Sequence, residues 1–149
     1  MILFYNWYSF PSFYHYQKRS YKFIKVHVLW TFYSIFVLLM KVHLIKRKSI
    51  EDFVSIHARS KNPFGIWLTA LKFADWESPE DILQTFGSAD ILGNGTSRVV
   101  FNIGGNNYRM ICKYKFGDNQ AHLFVCWIGS HRDYDILCKN KDQYIINNY

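Results

Sequence analysis

Three runs of β-branched and aromatic residues, separated by two short stretches of turn formers, fill the sequence from Ser97 to Ile128. The runs are Ser97 to Ile103, Tyr108 to Lys115 and Gln120 to Ile128; the separators are Gly104-Gly105-Asn106-Asn107 and Phe116-Gly117-Asp118-Asn119. Side chains of the first kind suit a pleated, half-buried surface. Glycine, asparagine and aspartate supply the positive φ angles that tight hairpins demand. Strands joined this briefly have no room for a crossover, so they pair as an antiparallel meander. Alternation puts Arg98, Val100 and Asn102 on one face of the first strand and Val99, Phe101 and Ile103 on the other. On the second strand Arg109, Ile111, Lys113 and Lys115 lie together.

Upstream the period changes. Val42 to Ile45 reads as a first strand. Ser49, with Asp52 three residues on, has the chemistry of an N-cap and predicts a helix to about Arg59. Asn62-Pro63 starts a second helix, in which Phe64, Trp67, Leu68, Leu71 and Ala74 make one apolar stripe. Ser78-Pro79-Glu80-Asp81 opens a third, ending near Phe86, with its acidic pair at the favourable end of the helix dipole. Asn140 to Tyr149 reads as a loose tail or a short final helix. Helices first and hairpins after predict an α+β fold, its N-terminal helices packed on one face of an antiparallel three- to four-stranded sheet.

Residues 1–39 differ in kind. They hold Lys18, Arg19, Lys22 and Lys25 but no acidic residue, whereas the rest of the chain carries 14 basic and 11 acidic groups. The formal net charge of +7 therefore says little about the domain that follows, and a nucleic-acid partner must be argued from motifs. The apolar run from Val28 to Met40 is shorter than the ~20 residues a membrane-spanning helix needs, and no small-residue cleavage site follows it. The Phe, Tyr, Ile, Asn and Lys bias is what AT-rich DNA yields on translation. The preferred reading is a start at Met40, with residues 1–39 lying upstream of the true initiator; a membrane or targeting segment is the second, and an integral part of the fold the third. Residues 40–149 are then the functional domain, and any membrane association would run through residues 1–39. Cys112, Cys126 and Cys138 form no CxxC pair, which argues against a zinc site or a redox dithiol. Such thiols fit a reducing compartment such as the cytoplasm, and no cofactor is indicated.

Three strings carry a resemblance. Arg98-Val99-Val100-Phe101-Asn102-Ile103-Gly104-Gly105-Asn106-Asn107-Tyr108-Arg109 resembles the central hairpin of HigB-type toxins of the RelE-like family. Gly129-Ser130-His131-Arg132-Asp133-Tyr134-Asp135 is similar to that family's closing Thr/Ser-His-x-x-Tyr-Asp motif, and Ala74 to Ile82 matches the connection between its second and third helices. The three stand in the family's order, and the resemblance spans Met40 to about Leu137; residues 1–39 have no counterpart in it. It implies a RelE-like fold and an endoribonuclease that cuts mRNA, usually on the translating ribosome. It also implies a cognate helix-turn-helix antitoxin.

RNA can be cut without a metal by its own 2′-hydroxyl. The protein must then take the 2′ proton, neutralise charge on the in-line phosphorane and protonate the 5′ leaving oxygen. The products would be a 2′,3′-cyclic phosphate, or its hydrolysed form, and a 5′-hydroxyl. His131, directly after the last strand, is the leading acid or base, because its ordinary pKa lies near neutrality. Its bland alternative is a cap or bridge between strand and helix. Tyr134 either shares that role, stacks on a base or packs inertly; Asp135 is a helix-end cap or an orienting partner. Arg98 and Arg109 are phosphate candidates, since planar guanidinium donors suit bidentate contact; the alternative is ordinary solvent-facing charge. Lys113 is a secondary candidate of the same type. Asn102 contacts RNA or flanks the ladder, and Lys46, Arg47 and Lys48 form a basic cluster before the first helix that binds RNA or is simply solvated. Asn106 and Asn107 read as turn residues. An inactive RNA- or antitoxin-binding module of the same fold is the competing function.

Overall fold

The computed structural model describes residues 42–149, so the expectations for residues 1–39 lie outside the described residues. Its first element, β1 (Val42–Ile45), runs straight into helix α1 (Arg47–Ile56), with Lys46 between them in the left-handed conformation at φ 65°. The one-residue reversal starts the helix earlier than Ser49. That serine is no N-cap; it sits buried inside α1 beside Ile50, because the apolar face of Ile50, Phe53 and Val54 sets the helix against the core. A short 3₁₀ turn (Ala58–Ser60) takes over where α1 was expected to continue to Arg59.

Helix α2 (Lys61–Lys72) begins one residue before Asn62, which is therefore not its cap. Pro63 is tolerated in the first turn, where backbone N–H groups have no helical acceptor. Phe64, Trp67 and Leu71 are buried along the expected stripe. Helix α3 (Pro79–Thr85) follows the sequence reading closely: Ser78 and Asp81 form a reciprocal capping box with Pro79 at the first helical position. Trp76 is buried in the core at 2% exposure, and its indole N–H donates to Thr85 Oγ1 at 2.9 Å.

The sheet is formed by β1, β2 (Asp90–Leu92), β3 (Arg98–Ile103), β4 (Tyr108–Phe116) and β5 (Ala121–Ser130), in the order β1-β5-β4-β3-β2. The meander β3–β4–β5 is antiparallel as expected, and β2 extends it antiparallel to β3. β1 lies parallel to β5, so the sheet is five-stranded and mixed rather than three- to four-stranded and antiparallel. Three residues are too few to show a period, and the β1–β5 pairing links distant parts of the chain; neither leaves a local signature.

Helices α1–α3 cover one face of the sheet. Their core joins Ile50, Phe64, Trp67, Leu71 and Ile82 to Val99, Phe101, Ile103, Met110, Cys112, Leu123 and Val125. Trp67 stacks on Phe86 with ring centres 5.4 Å apart, and both meet the edge of Phe101 at 5.1 Å. Pro63 packs against the hairpin: a Cβ on Gly104, which has φ 65°, would lie 3.0 Å from Pro63 Cγ.

The opposite face is covered as well. Helix α4 (His131–Asn140) and the residues after it pack on Val100, Ile111, Cys126 and Trp127 through Tyr134, Leu137 and Ile146. A bulge makes this second core possible. The β4–β5 register passes from Cys112↔Val125 to Ile111↔Trp127, skipping Cys126. Cys126 and Trp127 consequently both reach the second core, whereas Val125 and Ile128 reach the first. The final residues are no loose tail: a 3₁₀ turn (Asp142–Tyr144) leads to Asn148, whose N–H donates to Cys126 O at 2.9 Å.

Candidate active site

The site is built where β5 becomes α4. Ser130 is the last strand residue and the helix N-cap. Its hydroxyl accepts from the Asp133 N–H at 3.2 Å, while the Asp133 carboxylate accepts from the Ser130 hydroxyl at 2.6 Å and the Ser130 N–H at 3.1 Å. These bonds to Ser130 hold the Asp133 carboxyl below its usual range. The box puts His131 at the first position of α4 and fixes its backbone, whose N–H donates to Asn107 O at 3.1 Å. His131 therefore does not cap the helix itself. Its Nε2 lies 3.4 Å from Asp135 Oδ1, one turn on, and its Nδ1 is buried without a hydrogen-bond partner among the described residues. Asp135 is in the middle of α4, not a helix-end cap.

Arg109 comes to the same corner from β4. It is 7% exposed, and its fork is held by neutral acceptors: Nη2 donates to Asn106 Oδ1 at 2.6 Å and Nη1 to Tyr108 O at 3.2 Å. Its central carbon lies 6.0 Å from the ring centre of Tyr134, which is tilted over Trp127 at 6.4 Å. Burial, and then the hydrogen bond with the Cys138 thiol, push the Tyr134 phenol well above its ordinary range; Arg109 opposes the shift only weakly. Tyr134 is thus a neutral hydroxyl near pH 7, able to donate a proton or a hydrogen bond but not to act as a phenolate base. Gly129 is the β5 partner of Arg109, and the Trp127 indole covers it.

Arg98 is placed differently. It shares a face with Val100 and Asn102, as alternation predicts, but Asn102 is the residue that pairs with Arg109. Four residues of strand, about 13 Å, separate Arg98 from that row. Arg98 is also 7% exposed, beneath the C-terminal residues, and its Nη1 donates to Ile146 O at 2.7 Å. Solvent-facing charge is the wrong description of either arginine, because α4 and the chain after it cover the face the strands present. Among the described residues neither guanidinium has an ion-pair partner.

Lys113 is exposed and pairs across from Arg98. The Asn102 side-chain amide donates to Ser88 O, and its Oδ1 is buried without a partner among the described residues. Arg47 and Lys48 do not precede the first helix but form its first turn, where they pair with Glu51 at 3.1 Å and Asp52 at 2.8 Å. Lys46 Nζ donates to the Tyr149 backbone oxygen. His131, Tyr134, Asp135 and Arg109 are therefore brought together; Arg98, Lys113 and the Lys46–Lys48 cluster stand apart from them. Among the described residues no three His, Cys, Asp or Glu side chains gather as a metal site.

Sequence reasoning took Asn106 for a turn residue alone, and nothing local reveals that its amide oxygen orients Arg109. It also passed over α4, although Ser130-x-x-Asp133 is a capping-box signature in plain view.

Residues 60–137, just over half of the chain, match the family model of HigB_toxin, described as the RelE-like toxic component of a toxin–antitoxin system. The chain belongs to the HigB toxin family. The matched span runs from the start of α2 into α4 and includes Arg98, Arg109, His131, Tyr134 and Asp135; β1, α1 and the C-terminal residues fall outside it. Membership in a toxin–antitoxin family implies an antitoxin as partner. A search of curated proteins returned no match. Among the described residues of this toxin domain, no helix is long and apolar enough to cross a membrane.

Proposed function

We propose that this toxin is a metal-independent endoribonuclease that cuts mRNA on the translating ribosome, in the cytoplasm, until a helix-turn-helix antitoxin blocks it. One observation carries the reading. A buried guanidinium, Arg109, held by two neutral oxygens and without an ion-pair partner among the described residues, lies 6.0 Å from the Tyr134 ring, and His131 starts the same helix one turn before Tyr134. A buried cation without a counter-charge is costly, and an anion arriving beside it relieves that cost. Phosphate is the anion whose geometry a planar fork matches.

In the reaction, the 2′-oxygen loses its proton to a base and attacks phosphorus in line. The bond from phosphorus to the 5′-oxygen breaks, and that oxygen takes a proton. Arg109 neutralises the charge that builds on the non-bridging oxygens. His131, with one nitrogen unpartnered and the other 3.4 Å from Asp135, serves as base or acid. The neutral phenol of Tyr134 suits a proton donor to the leaving oxygen or a donor to the phosphate.

The test is to add the purified protein to a translating lysate with a defined mRNA and map the cut ends. Discrete cuts that leave 5′-hydroxyl ends, require active ribosomes and vanish with His131→Ala support the reading. Intact mRNA beside a folded, antitoxin-binding protein overturns it in favour of a binding module.

A further inference from the structure

The residues after α4 take a course that packing alone does not require. From the 3₁₀ turn at Asp142–Tyr144 the chain crosses the face of the sheet opposite α1–α3. Three polar attachments hold it there: Ile146 O accepts from Arg98 at 2.7 Å, Asn148 N–H donates to the bulged Cys126 at 2.9 Å, and the Tyr149 oxygen accepts from Lys46. Its apolar anchorage is slight, with Ile146 half-buried and Ile145 74% exposed.

One of these attachments sets a neutral dipole against a cation: the Ile146 carbonyl faces the Arg98 guanidinium, which a phosphate would satisfy better. Arg98 is nearly buried, it has no ion-pair partner among the described residues, and a carbonyl is its one hydrogen-bond acceptor there. The exposed Lys113 stands across from it on β4. The segment is thus held to a cationic face by bonds that a polyanion competes for directly.

We propose that Ile145–Tyr149 is a strap that closes a second phosphate subsite, made by Arg98 with Lys113, and that single-stranded RNA displaces it. The inference rests on the RNA-cutting reading of the neighbouring Arg109 corner. Arg98 stands about 13 Å of strand away from the row that holds Arg109 and is bound by a different acceptor, so it would hold a phosphate farther along the RNA. The closed strap then lowers the apparent RNA affinity to the intrinsic value times the fraction of molecules that are open, and loosening the strap recovers it.

The experiment uses the full chain and a short fluorescent oligoribonucleotide with 2′-deoxy substitutions, so that binding is read without cutting. Asn148→Pro deletes the N–H that Cys126 accepts, and Ile146→Ser removes the apolar anchor. Each is expected to tighten binding about three- to tenfold, the effect of freeing a state held closed by one or two net hydrogen bonds. Adding Arg98→Met to either variant should abolish the gain. In the unmodified chain, the oligonucleotide should speed hydrogen exchange at the Asn148 amide. If the variants lower Tm without tightening binding, or RNA slows exchange at Asn148, the segment is structural and the strap is overturned while the cleavage reading stands. If no form of the chain binds RNA, both are overturned.

Discussion

Gly129 lies beneath the indole of Trp127, two residues earlier on β5. A Cβ at position 129 would sit 2.4 Å from Trp127 Cζ2 and 2.6 Å from Cη2. The ring can fold along its own strand only because the next residue on that face has no side chain. Tyr134 then leans on the indole, and Arg109, the cross-strand partner of Gly129, faces Tyr134. The empty space at Gly129 is therefore part of the architecture of the site.

Gly129→Ala should force the indole aside and overpack this corner, lowering stability by about 1–3 kcal/mol. Chemical denaturation checks the loss. RNA cleavage should fall further than stability explains, because Tyr134 loses its support beside Arg109; a variant of normal stability and activity would show that the ring moves freely.

Arg109→Lys keeps the charge and removes the planar fork. Cleavage should fall about 10²–10³-fold, the usual loss when one preorganised donor to a developing anion is removed. Asn106→Ala leaves the guanidinium but frees its Nη2 end, and a loss of roughly tenfold is expected, equivalent to about 1.4 kcal/mol in the barrier. Asn106 is exposed, so its variant should keep a normal Tm. Single-turnover cleavage of a defined RNA separates the two.

His131→Ala should reduce cleavage by about 10²–10⁴-fold, the range that positioned acid–base groups supply, with little change in Tm. Asp135→Asn should cost far less. Its carboxylate is solvent-exposed and 3.4 Å from the imidazole, and exposed pairs of this kind contribute little. A loss at Asp135 as large as at His131 would mean that the carboxylate itself takes part in the chemistry.

Tyr134→Phe tests the phenol and its titration together. Burial raises the folded-state pKa of Tyr134 above the unfolded value, so the folded chain holds that proton more tightly. The associated stability is complete below about pH 10 and is lost as pH rises beyond it. The Phe variant should lack this alkaline loss in pH-dependent denaturation. Its cleavage should fall at neutral pH, and the Tyr134 proton should leave no inflection in the pH–rate profile of the natural protein below pH 9.

Asp133→Ala should destabilise the domain at pH 7, because it removes the carboxylate that accepts from the Ser130 N–H and hydroxyl in the capping box. The Asp133 carboxyl is held low by Ser130, so its contribution is present above the ordinary aspartate pKa and disappears as pH falls through the lowered one. The variant should lose less stability than the natural protein between about pH 4 and pH 2. Cleavage should drop as well, since the box fixes the helix start that carries His131.

Local chemistry was legible before any tertiary structure. The meander of β3, β4 and β5 follows from runs of β-formers interrupted by turn formers. The stripe of Phe64, Trp67 and Leu71 follows from helical spacing, and α3 from Ser78-Pro79 with Asp81. The same local chemistry misled at Ser49, where cap propensity was outweighed by burying Ile50 and the turn at Lys46.

By itself the sequence determined the strands of the meander, the helices α2 and α3, and which residue types line one face of β3 and β4, since propensity, capping and alternation act over a few residues. Tertiary structure alone decided that β1 pairs with β5, that a skipped Cys126 turns Trp127 onto the second face, and that α4 and the final residues cover Arg109 and Arg98. Those outcomes depend on contacts between residues far apart in the chain. Each is settled by which apolar surfaces can be buried together without leaving polar groups unpaired, a condition that no short window of sequence expresses.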